Sequence, residues 1–206
     1  NCTKFEDMEL PHTLTNIGYN AFYRAGYSYS RGTHTFTMID NEGVHTTIGE
    51  RAFYQSHLST IQAYTNNIGG YAFAECSSLT NVDIEIHGSI GSYAFNNCTY
   101  VENFKINANS VITSLGNNSF YNLAISTSAA SRNIASFDFR NSIFVSIGSD
   151  IWGFNRYDGI IYFPSTLNSI TGNFLNSATG NWKLYFNSIP TVSKWIPISI
   201  PIFAAC

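Results

Sequence analysis

The hydrophobic positions of the chain recur as a short motif. Isoleucine, glycine, two variable residues, alanine and phenylalanine follow one another at residues 17–22, 48–53, 68–73 and 90–95. Weaker copies of this I-G-x-x-A-F motif occupy residues 115–120, 147–152 and 170–175. Successive copies begin 31, 20, 22, 25, 32 and 23 residues apart. A unit of this length, repeated along a chain, predicts a solenoid in which each unit forms one coil.

Alternation of apolar and polar residues follows the motif and predicts a β-strand. In the most regular unit the apolar residues are Val82, Ile84 and Ile86. Because successive side chains of a strand point to opposite faces, we expect these three to point into the core. The polar residues between them should point outward, namely Asn81, Asp83 and Glu85. Similar patterns predict strands at residues 35–39, 137–139 and 182–186, the last being the final strand of the chain, with a turn at Asn66-Asn67.

Each position of the motif has a plausible structural role. Gly69 suits a tight corner, which needs either a positive φ or a close approach of two backbones. Ala72 is small enough to let the next coil come close, and Phe73 supplies bulk for the core. One coil cannot bury its apolar side alone, so the coils must stack. Stacking makes one continuous core with parallel strands about 4.8 Å apart.

The composite pattern C-x-x-L-x-x-[IV]-x-[IL]-P…I-G-x-x-A-F-x-x-C resembles the BspA-type leucine-rich repeat. Residues 76–79, residues 90–95 and Cys98 carry the match most clearly, and the resemblance covers nearly the whole chain. The chain departs from the pattern at residues 56–58, which are one residue short, and in the long intervals 23–47 and 121–146.

The resemblance implies a leucine-rich-repeat solenoid. Its fold would be a right-handed coil with a parallel β-sheet on one face and short irregular or 3-10 segments on the other. We expect a single domain, residues 1–206, of about seven coils, with residues 187–206 as a degenerate C-terminal cap or tail. Cys2 falls in the register of Cys76, so the chain begins within a repeat. The apolar stretch 195–203 is interpreted as a capping segment or an interface.

Composition narrows the function classes. Charged residues make up only 11% of the chain, against about 25% in a typical soluble domain. The net charge is −3 and the basic residues are scattered, so we expect no nucleic-acid partner. No apolar run reaches the length of a transmembrane helix, and no signal peptide opens the sequence. An uncharged, amide-rich and hydroxyl-rich surface is common in extracellular proteins.

Catalytic and metal-binding motifs are missing from the sequence. The histidines lack the spacing of metal ligands, and neither a G-x-S-x-G elbow nor a phosphate-binding G-x-x-x-x-G-K-[ST] loop occurs. We therefore expect no enzyme activity, no cofactor and no metal. Asp83 and Glu85 share the outward side of one strand and are interpreted as a solvated surface, with a glycosidase pair as the alternative.

The four cysteines leave two interpretations open. Cys2, Cys76 and Cys98 share one repeat position, which favours small core residues. Cys76 and Cys98 would also lie on adjacent coils, close enough for a disulfide, and Cys206 is terminal.

Recognition residues are expected on the outward side of the strands. The predicted central column of side chains is Glu9, Asp83, Lys105, Asp138, Tyr162 and Tyr185. The column beside it would hold Asn81, Asn103, Ser136, Ile160 and Lys183. The predicted ligand-binding residues are Asp83, Lys105, Asp138, Tyr162, Lys183 and Tyr185, although such residues also pack on each other across strands. The Asn-x-Ser/Thr triplets at Asn97 and Asn117 predict N-glycosylation if the protein is secreted by a eukaryote.

The family resemblance implies display on a bacterial or protist cell surface, for adhesion or recognition without chemistry. We therefore expect a non-enzymatic extracellular module that binds a protein or a carbohydrate through its strand face. Two alternatives stay open. The first is a structural subunit of a surface coat or filament, self-associating through the ends of its coils. The second is an accessory repeat region of a larger secreted enzyme.

Overall fold

The computed structural model describes residues 7–11, 13–26, 34–38, 46–123, 135–144, 146–147, 150–153, 158–170, 172, 174–175, 181–186, 191–192 and 202–204. These residues form sixteen β-strands and no helix. The strands are β1 (Met8–Leu10), β2 (Asn16–Ile17), β3 (Thr35–Met38), β4 (Thr46–Ile48), β5 (Thr60–Ile68), β6 (Asn81–Ile86), β7 (Ser89–Ile90), β8 (Asn103–Ile106), β9 (Ser114–Leu115), β10 (Ala135–Asp138), β11 (Ser146–Ile147), β12 (Gly159–Tyr162), β13 (Ser169–Ile170), β14 (Trp182–Phe186), β15 (Thr191–Val192) and β16 (Ile202–Ala204).

The main row of the solenoid is a parallel sheet in the order β1-β3-β5-β6-β8-β10-β12-β14-β16. Strand β6 alternates between half-buried and buried residues along its whole length. Val82, Ile84 and Ile86 are the buried ones, as the apolar pattern predicts. Strand β6 therefore turns its apolar side to the core and its polar side outward, and we call the outward side of this row the strand face.

A second row of short strands stacks the motif itself. It follows the order β2-β4-β5-β7-β9 and continues as β11-β13-β15. The first residues of the motif copies pair one on another in this row: Ile17, Ile48, Ile68, Ile90 and Leu115, then Ile147, Ile170 and Val192. The register of the repeat is therefore confirmed, and Val192 adds a position that the motif search missed.

Two predictions about strand limits are wrong. The expected turn at Asn66-Asn67 is part of β5, which runs to Ile68. The strand stays extended because it serves both rows, pairing with β6 along Thr60–Thr65 and with β4 and β7 at its end. Strand β14 is also not the last, since Ile202–Ala204 pairs with it in register. The expected C-terminal cap thus includes a strand of the main sheet.

The segment after each short strand is a chain of tight turns, which we call the turn face. Tyr71 and Glu75, the fourth and eighth residues of their motif copy, have φ of 56° and 59°. Between turns the backbone bonds to the next coil, since the amide of Phe73 donates to Ala94 O at 2.8 Å. The same two positions have positive φ in other copies, at Asn20, Arg24, Arg51, Gln55, Tyr93, Asn97, Asn118 and Asn122. These segments are the irregular ones that the resemblance implies, and no 3-10 helix occurs among the described residues.

A stack of aromatic rings fills the core between the two faces. In the first six motif copies the sixth residue is aromatic, and its ring stacks on the ring of the next of these copies. The centroid separations are 4.8 Å for Phe22–Phe53, 5.1 Å for Phe53–Phe73, 5.1 Å for Phe73–Phe95, 5.9 Å for Phe95–Phe120 and 5.5 Å for Phe120–Trp152. Rings from the strands meet this stack from the other side, as Phe104 does at 5.2 Å from Phe95. Such ring pairs add about 0.5–1.5 kcal/mol each beyond their buried area.

Glycine at the second motif position lets the coils approach closely. A Cβ at Gly69 would lie 2.5 Å from Glu50 N and 2.6 Å from Gly49 C, both backbone atoms. Of the two reasons that the sequence offered for this glycine, close approach is therefore the one that applies.

Cys76 and Cys98 are buried and carry free thiols. Their Sγ atoms donate to Phe53 O at 3.1 Å and to Phe73 O at 3.0 Å. Ser56 occupies the same position one coil earlier, with Oγ 3.4 Å from Cys76 Sγ. The interpretation as core residues is confirmed for this pair, while Cys2 and Cys206 lie outside the described residues.

Candidate functional site on the strand face

The strand face carries two columns of outward side chains, in a different register from the predicted one. Asp83 pairs with Lys105, and Lys105 pairs with Ser136. Asp138 lies two residues further along and belongs with Tyr162. The first column runs Glu9, Thr37, Gln62, Asp83, Lys105, Ser136, Ile160 and Lys183, and the second includes Tyr64 and Glu85 and then Asp138, Tyr162 and Tyr185.

The predicted central column is wrong after Lys105, which pairs with Ser136 and not with Asp138. The error arises because side chains on one face of a strand recur every two residues. Residues 137 and 139 are both buried phenylalanines, so the pattern fits the sheet equally well after a slip of two residues. The long interval before β10 gave no further register signal. The pairing of Phe137 with Ile106 decides the register.

An exposed ion pair lies near the middle of the first column. Lys105 Nζ is 3.6 Å from Asp83 Oδ2, and the two side chains are 56% and 47% exposed. Asn107 Nδ2 donates to Asp83 Oδ1 at 2.9 Å. Because solvent screens this pair, it contributes little to stability. Both charges are therefore available to a partner.

A less exposed carboxylate, that of Glu85, lies on the strand face beside this ion pair. Glu85 Oε1 lies 3.0 Å from His87 Nε2, and Asn109 Nδ2 donates to Glu85 Oε2 at 3.4 Å. Glu85 is only 13% exposed, so this carboxylate is held in place by its neighbours.

Arg140 packs against the second column, where it contacts Asp138 and Tyr162. Arg140 donates from Nε to Asp138 Oδ1 at 2.9 Å and from Nη2 to Oδ2 at 2.5 Å, a two-pronged contact. Its guanidinium carbon lies 4.8 Å from the centre of the Tyr162 ring. Tyr162 and Tyr185 stack at 4.7 Å. The hydrogen bond to Asp138 raises the pKa of Arg140, so the guanidinium stays charged.

Asp138 has a positioning role here. It is 7% exposed, against 57% for the Arg140 side chain that covers it. The carboxylate fixes the guanidinium, and the guanidinium together with the two tyrosine rings forms the accessible surface. Arg140 was not among the predicted site residues, and its only signal in the sequence is its position two residues after Asp138.

The other predicted residues lie apart from this cluster. Lys183 is exposed and pairs with Ile160 in the first column. Asn117 is exposed and Asn97 is half-buried, both on the turn face, and their glycosylation stays a prediction. No group of three or more potential metal-ligating side chains occurs in the described part of the chain. Within the same residues, no helix has the length and apolar character needed to cross a membrane.

Comparison with known proteins agrees with this architecture. The family model of the BspA type leucine rich repeat region matches the chain in six copies, over residues 1–43, 26–147 and 66–195. Neither the curated proteins nor the solved structures gave a match. The matched ranges include the aromatic core and every strand of the two rows except β16. The chain therefore belongs to the BspA-type leucine-rich repeat family.

Proposed function

We propose that this chain is an extracellular adhesion module that binds a protein through its strand face. Leucine-rich repeats typically bind proteins, and the BspA-type family is typically found at the cell surface or secreted. The observation that carries the proposal is the grouping on one face of an exposed ion pair, a fixed guanidinium and two stacked tyrosines. Arginine and tyrosine are the side-chain types enriched at the energetic centres of interfaces, and the ion pair beside them adds charge complementarity.

The size of the patch suits a protein partner. Asp83 lies on β6 and Tyr185 on β14, four strand spacings away. At about 4.8 Å per spacing, the patch is about 19 Å wide. A standard interface buries about 800 Å² on each partner, so this patch would form its centre and the neighbouring outward residues its rim.

Binding without catalysis is the second part of the proposal. Leucine-rich repeat domains are generally non-catalytic. The carboxylates of Asp83, Glu85 and Asp138 are held by an amide, a histidine, a lysine or an arginine, as expected of a solvated recognition surface. Hydrolysis of any member of a polysaccharide panel, lost on Asp83→Asn, would contradict this part.

The binding test uses an array of purified extracellular-matrix and cell-surface proteins, with surface plasmon resonance on each hit. We expect Tyr185→Ala and Arg140→Ala to weaken binding about tenfold or more, since truncated aromatic and arginine hot spots cost about 2 kcal/mol or more. Tyr19→Ala is the matched control, because Tyr19 is a 61% exposed tyrosine on the turn face. Equal losses in the control, or affinities unchanged by the strand-face variants, would refute the proposal.

Assembly through the coil ends is the second candidate. Among the described residues, β1 pairs with β3 alone and β16 with β14 alone, so each has one unpaired edge. Exposed strand edges favour pairing with another chain. Sedimentation at rising concentration separates the candidates, because large regular oligomers would support assembly and a monomer at high concentration would exclude it.

A further inference from the structure

The turn face holds a polar cavity that lies outside the proposed strand-face site. Its volume is about 250 Å³, and it is lined by Arg24, Gln55, His57, Glu75, Ser77 and Asn97. Four of these six are the eighth residues of consecutive motif copies: Arg24, Gln55, Glu75 and Asn97. Their backbones share a φ between 54° and 59°, so the four side chains leave the backbone from equivalent positions. We call this cavity the turn-face pocket.

Hydrogen bonds between coils fix the polar groups of this pocket. Arg24 Nε donates to Gln55 Oε1 at 2.8 Å, and Gln55 Nε2 donates to Glu75 Oε2 at 2.7 Å. The hydroxyl of Tyr54 donates to Glu75 Oε1 at 2.8 Å. Burial and this carboxylate raise the pKa of Tyr54, which keeps its hydroxyl protonated as a donor. The pocket is thus preorganised, which lowers the entropy cost of binding.

We propose that the turn-face pocket binds one uncharged sugar ring of a glycan. Its lining combines a guanidinium, two amides, a carboxylate, an imidazole and a hydroxyl, so donors and acceptors stand side by side. Sugar hydroxyls both donate and accept, and therefore match such a lining. The volume lies below the 300–1,000 Å³ of pockets for drug-sized ligands, which suits a single ring.

Charge and neighbouring aromatic rings support a neutral sugar. Arg24 and Glu75 carry opposite charges at opposite ends of one hydrogen-bonded chain, so the pocket favours neither an anion nor a cation. Tyr23 and Tyr54 stack at 5.8 Å, each next in sequence to a residue of the lining. Tyrosine offers an apolar ring face together with a polar hydroxyl, as sugar recognition requires.

The experiment is NMR titration of the whole chain with neutral mono- and disaccharides of glucose, galactose, mannose and N-acetylglucosamine. Sialyllactose and a sulfated heparin disaccharide serve as charged comparisons. We expect saturable shifts for at least one neutral sugar and about tenfold weaker binding in Glu75→Gln, which removes the charged acceptor without changing its shape. Ser77→Trp should block binding from an exposed position at which a large side chain does not disturb the core.

Matched controls make the result decisive. Asp83→Asn and Tyr185→Ala alter the strand face and should leave sugar binding unchanged, while circular dichroism checks that every variant is folded. Absence of sugar binding at 20 mM (roughly the weakest affinity of interest), or binding that survives both pocket variants, would overturn the proposal. Preference for a charged sugar, or for a protein of the array that competes at this pocket, would also overturn it. Failure here leaves the strand-face proposal standing, because the two sets of variants do not overlap.

Discussion

Replacing Gly91 with alanine tests how closely the coils stack. A Cβ at this position would lie 2.5 Å from Gly70 N, 2.7 Å from Gly69 C and 2.9 Å from Gly70 Cα. The shortest of these distances is 0.9 Å less than the 3.4 Å at which ordinary contact begins. All three atoms belong to the backbone of the preceding coil, so no side chain can rotate away.

The expected loss of stability follows from the backbone contacts between coils that must lengthen. The amide of Gly91 donates to Ile68 O at 2.7 Å, and separating the coils by the missing distance would stretch this bond past about 3.5 Å, where it is lost. Overpacking costs about 1–3 kcal/mol, and a lost backbone hydrogen bond about 1 kcal/mol more. We therefore expect Gly91→Ala to lower the free energy of unfolding by about 2–4 kcal/mol.

Gly18 provides a matched control at the same motif position. Among the described residues, a Cβ there would meet no atom within 4 Å. Gly18→Ala should therefore leave stability unchanged or raise it by about 0.4–1 kcal/mol through the unfolded chain. Urea unfolding, followed by the fluorescence of the buried Trp152 and Trp182, measures both variants.

Hydrogen exchange adds a local readout, since neighbouring repeats interact mainly with each other. The amides that cross from the coil of Gly91 to its neighbours should lose protection first. Equal destabilisation by the two alanines would refute the reasoning, because it would show that the loss of glycine itself matters and not the contact between coils.

Three further predictions concern the core. Phe73→Ala removes the middle ring of the aromatic stack and should cost about 3–5 kcal/mol in urea unfolding, whereas Tyr19→Ala at the exposed surface should change stability by less than about 0.5 kcal/mol. Ser110→Ala removes the buried Oγ that accepts from Ile86 N at 3.1 Å, and should cost about 1–3 kcal/mol by leaving that amide unsatisfied. Burial raises the pKa of Cys98 well above 9.0, so the unfolded chain loses this proton first and stability falls as pH rises above about 9. Cys98→Ala should show a smaller fall between pH 8 and 10, and an equal fall in both proteins would contradict the assignment.

The repeat and its stacking could be predicted from the sequence because each requires particular residue types at particular positions. A buried isoleucine followed by a glycine in close backbone contact starts the motif copies at residues 48, 68 and 90, so their recurrence marks the short-strand row directly. The alternation in β6 likewise allows one orientation, since a one-residue slip would turn three buried aliphatic side chains to solvent.

Register across the long interval could not be predicted, because a two-residue slip preserves the buried face. Phe137 and Phe139 are both fully buried, and only the backbone pairing distinguishes them. The register places Asp138 in the second column, where it accepts hydrogen bonds from Arg140, and its role in ligand binding stays a prediction. The contacts of Tyr162 with Arg140 and with Tyr185 join residues far apart in the sequence, and no repeating sequence pattern indicates them.

The backbone conformation of the turn face also could not be predicted from the sequence, for a different reason. Positive φ at Arg51, Gln55 and Tyr71 is imposed by the hydrogen bonds between coils, although these residues have no intrinsic preference for it. Local propensity therefore pointed away from the conformation that the stack enforces. The polar ladder of the turn-face pocket depends on this enforced backbone.

The two proposed binding surfaces lie on opposite sides of one core, and neither supplies the buried side chains of that core. The Phe73 ring packs from the turn side, whereas Val82 and Ile84 pack from the strand side, and both are fixed by burial. The outward residues Asp83 and Glu75 do not contribute to that core, so either surface can change without altering the other. Variants of the strand face and of the turn-face pocket should therefore combine additively in stability, since they share no partner side chains. Coupling between them above about 0.5 kcal/mol would mean that the coils transmit changes from one face to the other.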